Sequence, residues 1–220
     1  MTNKNVAWSH SALNTFRTCP KKYWHEKIKK DVPFTESDAS RYGKEVHKAF
    51  ELYIAKGTKL PFGLKQYTPY LEKFKTAKGQ KLVEQRIAVT REFLPTGYFD
   101  KDVWFRGQAD LIILHGAHAV VVDWKTGKYK NDFDQLDLMA AGVFCLDPDI
   151  QTIDAMFWWT QGREHTMKSY NREDAKDIWG RFIPIVKRLE LAVSTTDFPA
   201  TTNGLCKKWC AVKSCPYQGA

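Results

Sequence analysis

The sequence has no apolar run approaching the ~20 residues of a membrane span, so no helical span is expected. Its opening, MTNKNVAWSHSALNTF, lacks the apolar stretch of a signal peptide, which leads to the expectation of a cytoplasmic protein. No internal repeat or low-complexity tract is present, and an extended array is therefore not expected. Acidic residues are in deficit: 25 Asp and Glu stand against 34 Lys and Arg, a net charge of +9. This favours an acidic polymer such as nucleic acid over a cation or a basic protein as partner. Cysteine is sparse, five in 220 residues, and in a cytosolic setting these are not expected to form disulfides. What is abundant is apolar and aromatic material. With 43% hydrophobic residues and eight tryptophans, the chain can offset its ordering entropy by burial, which excludes disorder and suits a single large domain.

The charge is unevenly distributed. Residues 1–30 carry seven basic side chains against Glu26 alone, and residues 56–91 carry nine against Glu72 and Glu84. Residues 123–154 reverse the sign, with seven Asp against Lys125, Lys128 and Lys130. Such runs are most simply solvated faces; the sharper reading is a phosphate-binding rim around a carboxylate metal site.

Hydrophobic periodicity divides the chain into a mainly helical part (1–80), a sheet core (81–170) and a C-terminal helix with a cysteine-rich segment (171–220). Ser9 or Ser11 can cap a first helix carrying Leu13 and Phe16, with a fresh start at Pro20 near Cys19. Residues 31–39 read as loop. A helix from Ser40 carries Val46, Ala49, Phe50 and Tyr53 and stops at Gly57. His47 and Glu51, four apart, share one of its faces. Another helix is expected within 60–80, ending near Gly79. Residues 82–94, 103–114 and 118–124 alternate as strands, the last two joined by a turn at His115 to Ala117. A helix over 134–146, a strand pair over IDAMFWWT and TMKSY, and a last helix opening at Asn171 and kinked at Pro184 complete an α/β core with helical additions.

The chemistry concentrates in RGQADLIILHGAHAVVVDWKTGK. Hairpin pairing can bring Asp110 and Asp123 together, with Lys125 two residues on from Asp123 on the same strand face. Adjacent carboxylates repel, and in a half-buried strand they need neutralising; a hard divalent cation with oxygen ligands does so. The plain alternative is a salt bridge between Lys125 and one aspartate.

The ordered set GKEVH (43–47), GQAD (107–110), DWKTGK (123–128) and QLDLMA (135–140) resembles the PD-(D/E)XK nuclease superfamily, most closely its RecB-like branch. The opening SHSALNTFRTCPKKYWHEKI is similar to that branch's N-terminal helix. The resemblance implies a restriction-endonuclease-like core, a mixed central sheet flanked by helices. It implies Asp110 and Asp123 as ligands of Mg2+ or Mn2+, His47 and the backbone carbonyl of Trp124 as further ligands, Lys125 as the catalytic lysine and Gln135 as the glutamine of the following helix. Relatives commonly have tyrosine four residues after this glutamine, where Met139 stands here; Tyr129 is the substitute considered. Glu51 and Glu84 are weaker candidates, for which surface roles are expected.

Cys206, Cys210 and Cys215 cluster as C-x3-C-x4-C, with Cys19 187 residues earlier than the first. Clustered thiols in a polar tail suit a soft metal, zinc or an iron-sulfur cluster. Some RecB-like nucleases, of the AddB and CRISPR-adaptation types, hold a 4Fe-4S cluster with one N-terminal and three C-terminal cysteines. That likeness selects 4Fe-4S here, with Zn2+ as the alternative. Cys145 is expected to be a small buried residue.

The expected activity is metal-dependent hydrolysis of DNA phosphodiester bonds, on ends or single strands, with Lys21, Lys22, Tyr23 and Trp24 guiding the strand. The alternatives are a non-catalytic DNA-binding or partner-binding subunit stapled by metal, and a structure-specific endonuclease of the same fold. The sequence contains no G-x-x-x-x-G-K-[ST] motif, so a helicase or recombination partner would be a separate protein. The setting expected is a standalone recombination or repair nuclease of viral origin.

Overall fold

A computed structural model of the chain describes residues 6–32 and 36–219. The elements run α1 (His10–Thr18), α2 (Pro20–Tyr23), α3 (Asp38–Lys56), α4 (Thr68–Thr76), β1 (Gln80–Val89), β2 (Phe105–His115), β3 (His118–Lys125), α5 (Asp134–Leu146), β4 (Thr152–Trp159), β5 (Glu164–Asn171) and α6 (Asp174–Thr195). A π-helical stretch over Trp24–Lys29 follows α2, and a 3-10 turn over Phe62–Tyr67 precedes α4. Among the described residues no helix is long and apolar enough to cross a membrane.

The five strands lie in the sheet in chain order, β1-β2-β3-β4-β5. Every neighbouring pair is antiparallel except β3 and β4, which are parallel. A parallel pair cannot be joined by a tight turn, and α5 makes the crossover. Period-two alternation sends successive side chains of β3 to opposite faces. Ala119 and Val121 join a core with residues of α1, α5 and α6, while Val122 and Trp124 join a second core with Val46 and Phe50 of α3 and Leu71 of α4. Each core is built around aromatic rings in mostly edge-to-face contact. Trp8 meets Trp104 at 5.2 Å and Trp179 at 6.3 Å on one side, and Phe50 meets both Tyr67 and Trp124 at 5.5 Å on the other.

Helix α5 crosses the sheet closely because Gly142 faces it: a Cβ there would come within 2.5 Å of Ile87 Cγ2. The same helix is tied from its other side by Asp137. That carboxylate accepts hydrogen bonds from Tyr170 Oη at 2.7 Å, Lys168 Nζ at 2.7 Å and Arg181 Nη2 at 2.6 Å. Burial pushes its carboxyl up, but these donors from β5 and α6 outweigh burial and hold it below the usual carboxylate range.

Most element boundaries follow local chemistry. Ser9 caps α1 by accepting from the Ala12 N–H at 3.3 Å, and α3 ends at Gly57 with φ of 70°. Several expectations are corrected. Helix α3 starts at Asp38, capped by Ser37 rather than entered at Ser40, and residues 33–35 of the expected loop lie outside the described residues. Strand β1 ends at Val89 rather than 94. There the chain turns, with the Thr90 N–H bonded to the Leu94 carbonyl and Phe93 in a left-handed conformation, its ring against Trp104 and Trp179. Asn171 closes β5, and α6 begins at Asp174 and continues past Pro184. Cys145 is half-buried against the first core rather than enclosed by it.

Candidate active site

The pairing of β2 with β3 runs from His115 and His118 up to Leu111 opposite Val122, a register whose next opposed positions are Asp110 and Asp123. The two strands part there. In place of the ladder, the Asp110 side chain takes over: its Oδ2 accepts the Trp124 N–H at 2.7 Å. Its Oδ1 lies 3.1 Å from His47 Nδ1 on α3. Asp123 instead reaches toward α5, where its Oδ1 accepts from Gln135 Nε2 at 2.7 Å. Lys125 Nζ lies 2.6 Å from Asp123 Oδ2 and donates to Gln135 Oε1 at 2.8 Å. Asp123, Lys125 and Gln135 therefore close a triangle in which each fixes the other two. Asp110 of β2 and Asp123 and Lys125 of β3 thus gather at one end of the sheet with His47 of α3 and Gln135 of α5. Trp124 is tied to Asp110 through its backbone N–H.

Glu84 belongs with them. The β1–β2 register, Val83 to Leu111 and Gln85 to Ala109, sets it opposite Asp110. Its φ of 54° is a left-handed conformation for which a residue with a side chain carries strain of about 1–3 kcal/mol. One donor atom each from His47, Glu84 and Asp110 lies within 4.8 Å of the others, the one such triad among the described residues. Gln108 Nε2 donates to Glu84 Oε2. Glu51 lines the same cleft, of about 490 Å3, but pairs with Lys48 at 2.8 Å. Gly43 of α3 also borders it; a Cβ there would stand 3.2 Å from Thr126 Oγ1, so its glycine lets the helix approach the loop after Lys125.

The electrostatics are those of a site built for a cation. Burial pushes the Asp123 carboxyl up to about 6, with Lys125 pulling it down and Asp110 adding to the rise. Burial and the Asp110 charge likewise raise Glu84, against the Gln108 hydrogen bond. Burial draws His47 down, but its hydrogen bond to Asp110 and the charges of Asp110, Asp123 and Glu84 outweigh this and raise it. Asp123 Oδ2 is buried and, apart from the poorly aligned Lys125 ammonium, has no partner among the described residues. Carboxylate oxygens with one imidazole, in surplus over the nearby positive charge, fit Mg2+ or Mn2+.

A second cluster lies apart from this one. Cys19, Cys206, Cys210 and Cys215 all line a single small cavity, with Lys21 and Lys22 also on its wall. The Thr201 and Asn203 N–H groups point at Cys19 Sγ and Cys206 Sγ at 3.4 and 3.5 Å.

The residues expected to guide a strand are dispersed. Tyr23 is 3% exposed, its ring packed on Phe16 and Phe198, so it has no open face for a base, and that expectation is set aside. Trp24 packs on Phe198 at 4.9 Å. Lys21 and Lys22 face the cysteine cavity rather than the carboxylates. Tyr129 is exposed, with its ring 5.3 Å from Trp159.

No curated protein matches the chain. Among solved structures, a protein from Eubacterium rectale provisionally named an exonuclease superposes with a TM-score of 0.56 at 15% identity, covering 94% of this chain and 88% of the other. A protein named SSO0001 superposes with a TM-score of 0.49 at 14% identity over 96% and 87%. The mixed five-stranded sheet flanked by helices is a restriction-endonuclease-like fold. The sequence profile of the PD-(D/E)XK nuclease superfamily matches residues 7–218, nearly the entire length, and the chain belongs to that superfamily.

Proposed function

We propose that the protein hydrolyses DNA phosphodiester bonds with Mg2+ or Mn2+, acting on ends or single strands. The observation that carries this reading is the Asp123–Lys125–Gln135 triangle set beside the His47–Glu84–Asp110 triad. Asp110, Glu84, His47 and Asp123 would hold the ion. When bound, it supplies Lewis-acid polarisation of the phosphate and makes water a stronger nucleophile. Lys125 is held by Gln135 and Asp123 so that its ammonium can meet the negative charge that grows on phosphate oxygens during attack. Gln135 uses both ends of its amide in this, the carbonyl on Lys125 and the amino group on Asp123, so it is a positioning residue. His47 must be neutral to serve as a ligand, whereas its carboxylate neighbours favour the imidazolium; ion and proton therefore compete there.

The test is digestion of 5'-labelled and 3'-labelled single-stranded and double-stranded DNA. Mn2+-dependent degradation that is lost in EDTA and in Lys125→Ala is expected. Full activity in Lys125→Ala would place the site elsewhere, and DNA binding without digestion would mark a binding subunit instead. Glu84→Gln is expected to weaken Mn2+ binding about tenfold or more, read by an EPR-monitored titration. Unchanged affinity would remove Glu84 from the ligand set.

We also propose a 4Fe-4S cluster at Cys19, Cys206, Cys210 and Cys215. Four thiols around one cavity, two of them facing backbone N–H donors, support it. Zn2+ on the same four thiols is the alternative.

A further inference from the structure

A second cleft, of about 260 Å3, adjoins the site on the side of Gln135. Ser9 and Ser11 at the start of α1, Tyr98 and Arg106 form part of its wall, and Gln135 and Met139 of α5 another part. Gln108 borders both this cleft and the carboxylate cleft, so the two adjoin at that residue. Their chemistry is opposite. Glu51, Glu84 and Asp110 line the first, whereas no Asp or Glu is among the described residues lining the second.

Two features make the second cleft more than a gap. Tyr98, on its wall, stands edge to face with Phe99, beside the wall, at 5.2 Å, and both rings lie over the guanidinium groups of Arg106, on the wall, and Arg86, beside it, at 5.1–5.9 Å. Phe99 is nevertheless 73% exposed, so the pair has an open aromatic face. Arg106 Nε is buried without a hydrogen-bond partner among the described residues. An unsatisfied buried donor is costly, and a shift of the side chain that brings it to an acceptor carried by a ligand would relieve that cost.

We propose that this cleft, with the Tyr98–Phe99 pair beside it, is a nucleobase site for a single DNA strand, the base stacking on that pair while Arg106 of the wall and the neighbouring Arg86 attract the adjoining phosphate. The proposal rests on the reading of the protein as a DNA nuclease and names the part of the substrate it grips. At about 260 Å3 the space falls just below the range of small-molecule sites, about 300–1,000 Å3, which suits one nucleotide and not a duplex. Stacking needs a base with a free face, which unpaired and terminal bases have.

The experiment compares binding of an eight-nucleotide single strand with that of the same strand made abasic at its terminal positions. It uses the full chain carrying Asp123→Asn, so that nothing is cleaved. The parent is expected to prefer the strand with bases by roughly tenfold or more. Tyr98→Ala/Phe99→Ala is expected to bring that ratio close to one, and Tyr98→Phe to keep it. A ratio near one in the parent, or an undiminished ratio in the double variant, overturns the proposal. A terminal 2-aminopurine, whose emission falls on stacking, gives a readout that needs no aromatic variant. Quenching on binding to the parent supports the proposal, and its absence at both ends overturns it. A chain that shows the preference but never digests DNA overturns the nuclease reading and supports the base site; one that digests DNA without the preference does the reverse.

Discussion

Asp123→Asn is expected to lower Mn2+-dependent DNA digestion by at least about 10^2- to 10^3-fold while making the metal-free protein more stable at pH 7. The two effects have one cause. Asp123 is 4% exposed and its carboxyl is raised from 3.8 to about 6, chiefly by burial, so the fold prefers it protonated. A carboxyl raised in the native state adds nothing unfavourable below the unfolded value, where both states carry the proton. Between about 4 and 6 the native state must either keep a proton that the unfolded chain releases or bury the charge, and stability falls with rising pH. A rise of about two units corresponds to about 3 kcal/mol above pH 6, and asparagine avoids that cost. Urea unfolding in EDTA should therefore show the variant's advantage growing from near zero below pH 4 to about 3 kcal/mol above pH 6. Saturating Mn2+ should shrink or reverse it, because the ion binds the native wild type. A difference that does not change with pH would mean that Lys125 alone already neutralises the carboxylate.

Loss of one cysteine should be felt more by the fold than by the chemistry. Cys210→Ala is expected to lose iron and sulfide, to become sensitive to proteases beyond residue 200, and to yield little soluble protein. Beyond Ala200, Val212 is the one fully buried residue among those described. Such a segment cannot offset its ordering entropy by apolar burial, so the proposed cluster on its thiols would supply the order. Such a tie would also join Cys206 to Cys19, 187 positions away. Cross-linking so long a loop removes on the order of 5 kcal/mol of unfolded-state entropy. Iron analysis, the visible spectrum of anaerobic protein and limited proteolysis check this. Zinc in place of iron would leave the ligands standing and change the ion, whereas full metal content in Cys210→Ala would exclude that cysteine as a ligand.

Where one element's chemistry decides a position, the sequence was a good guide. Helix α5 covers 134–146 as its spacing predicts, and Gly57 ends α3 because its left-handed conformation suits glycine. Asp123, Lys125 and Gln135 could be read together because two lie on one strand and the third opens the next helix. Features that depend on distant partners could not. Phe93 continues the alternation of β1 on paper, yet its ring is apolar for Trp104 and Trp179, and the strand has already ended. Glu84 looks like one more surface acid of an alternating strand. Only the register against β2 sets it opposite Asp110, and its left-handed backbone has no sequence signature, since glutamate does not favour it. Tyr23 fails in the converse way: beside two lysines it resembles a strand guide, but Phe198, far along the chain, covers it.

The tryptophans offer a spectroscopic handle. Trp8, Trp104, Trp124, Trp158, Trp159 and Trp179 are each at most 4% exposed, whereas Trp209, between Cys206 and Cys210, is 75% exposed. A water-soluble quencher such as iodide reaches that indole while the six enclosed ones stay shielded. Trp24 is partly exposed, so the quenchable fraction of native fluorescence reports chiefly on the cysteine segment once the share of Trp24 is fixed with Trp24→Phe, and its ordering can be followed in unlabelled protein without disturbing the sheet.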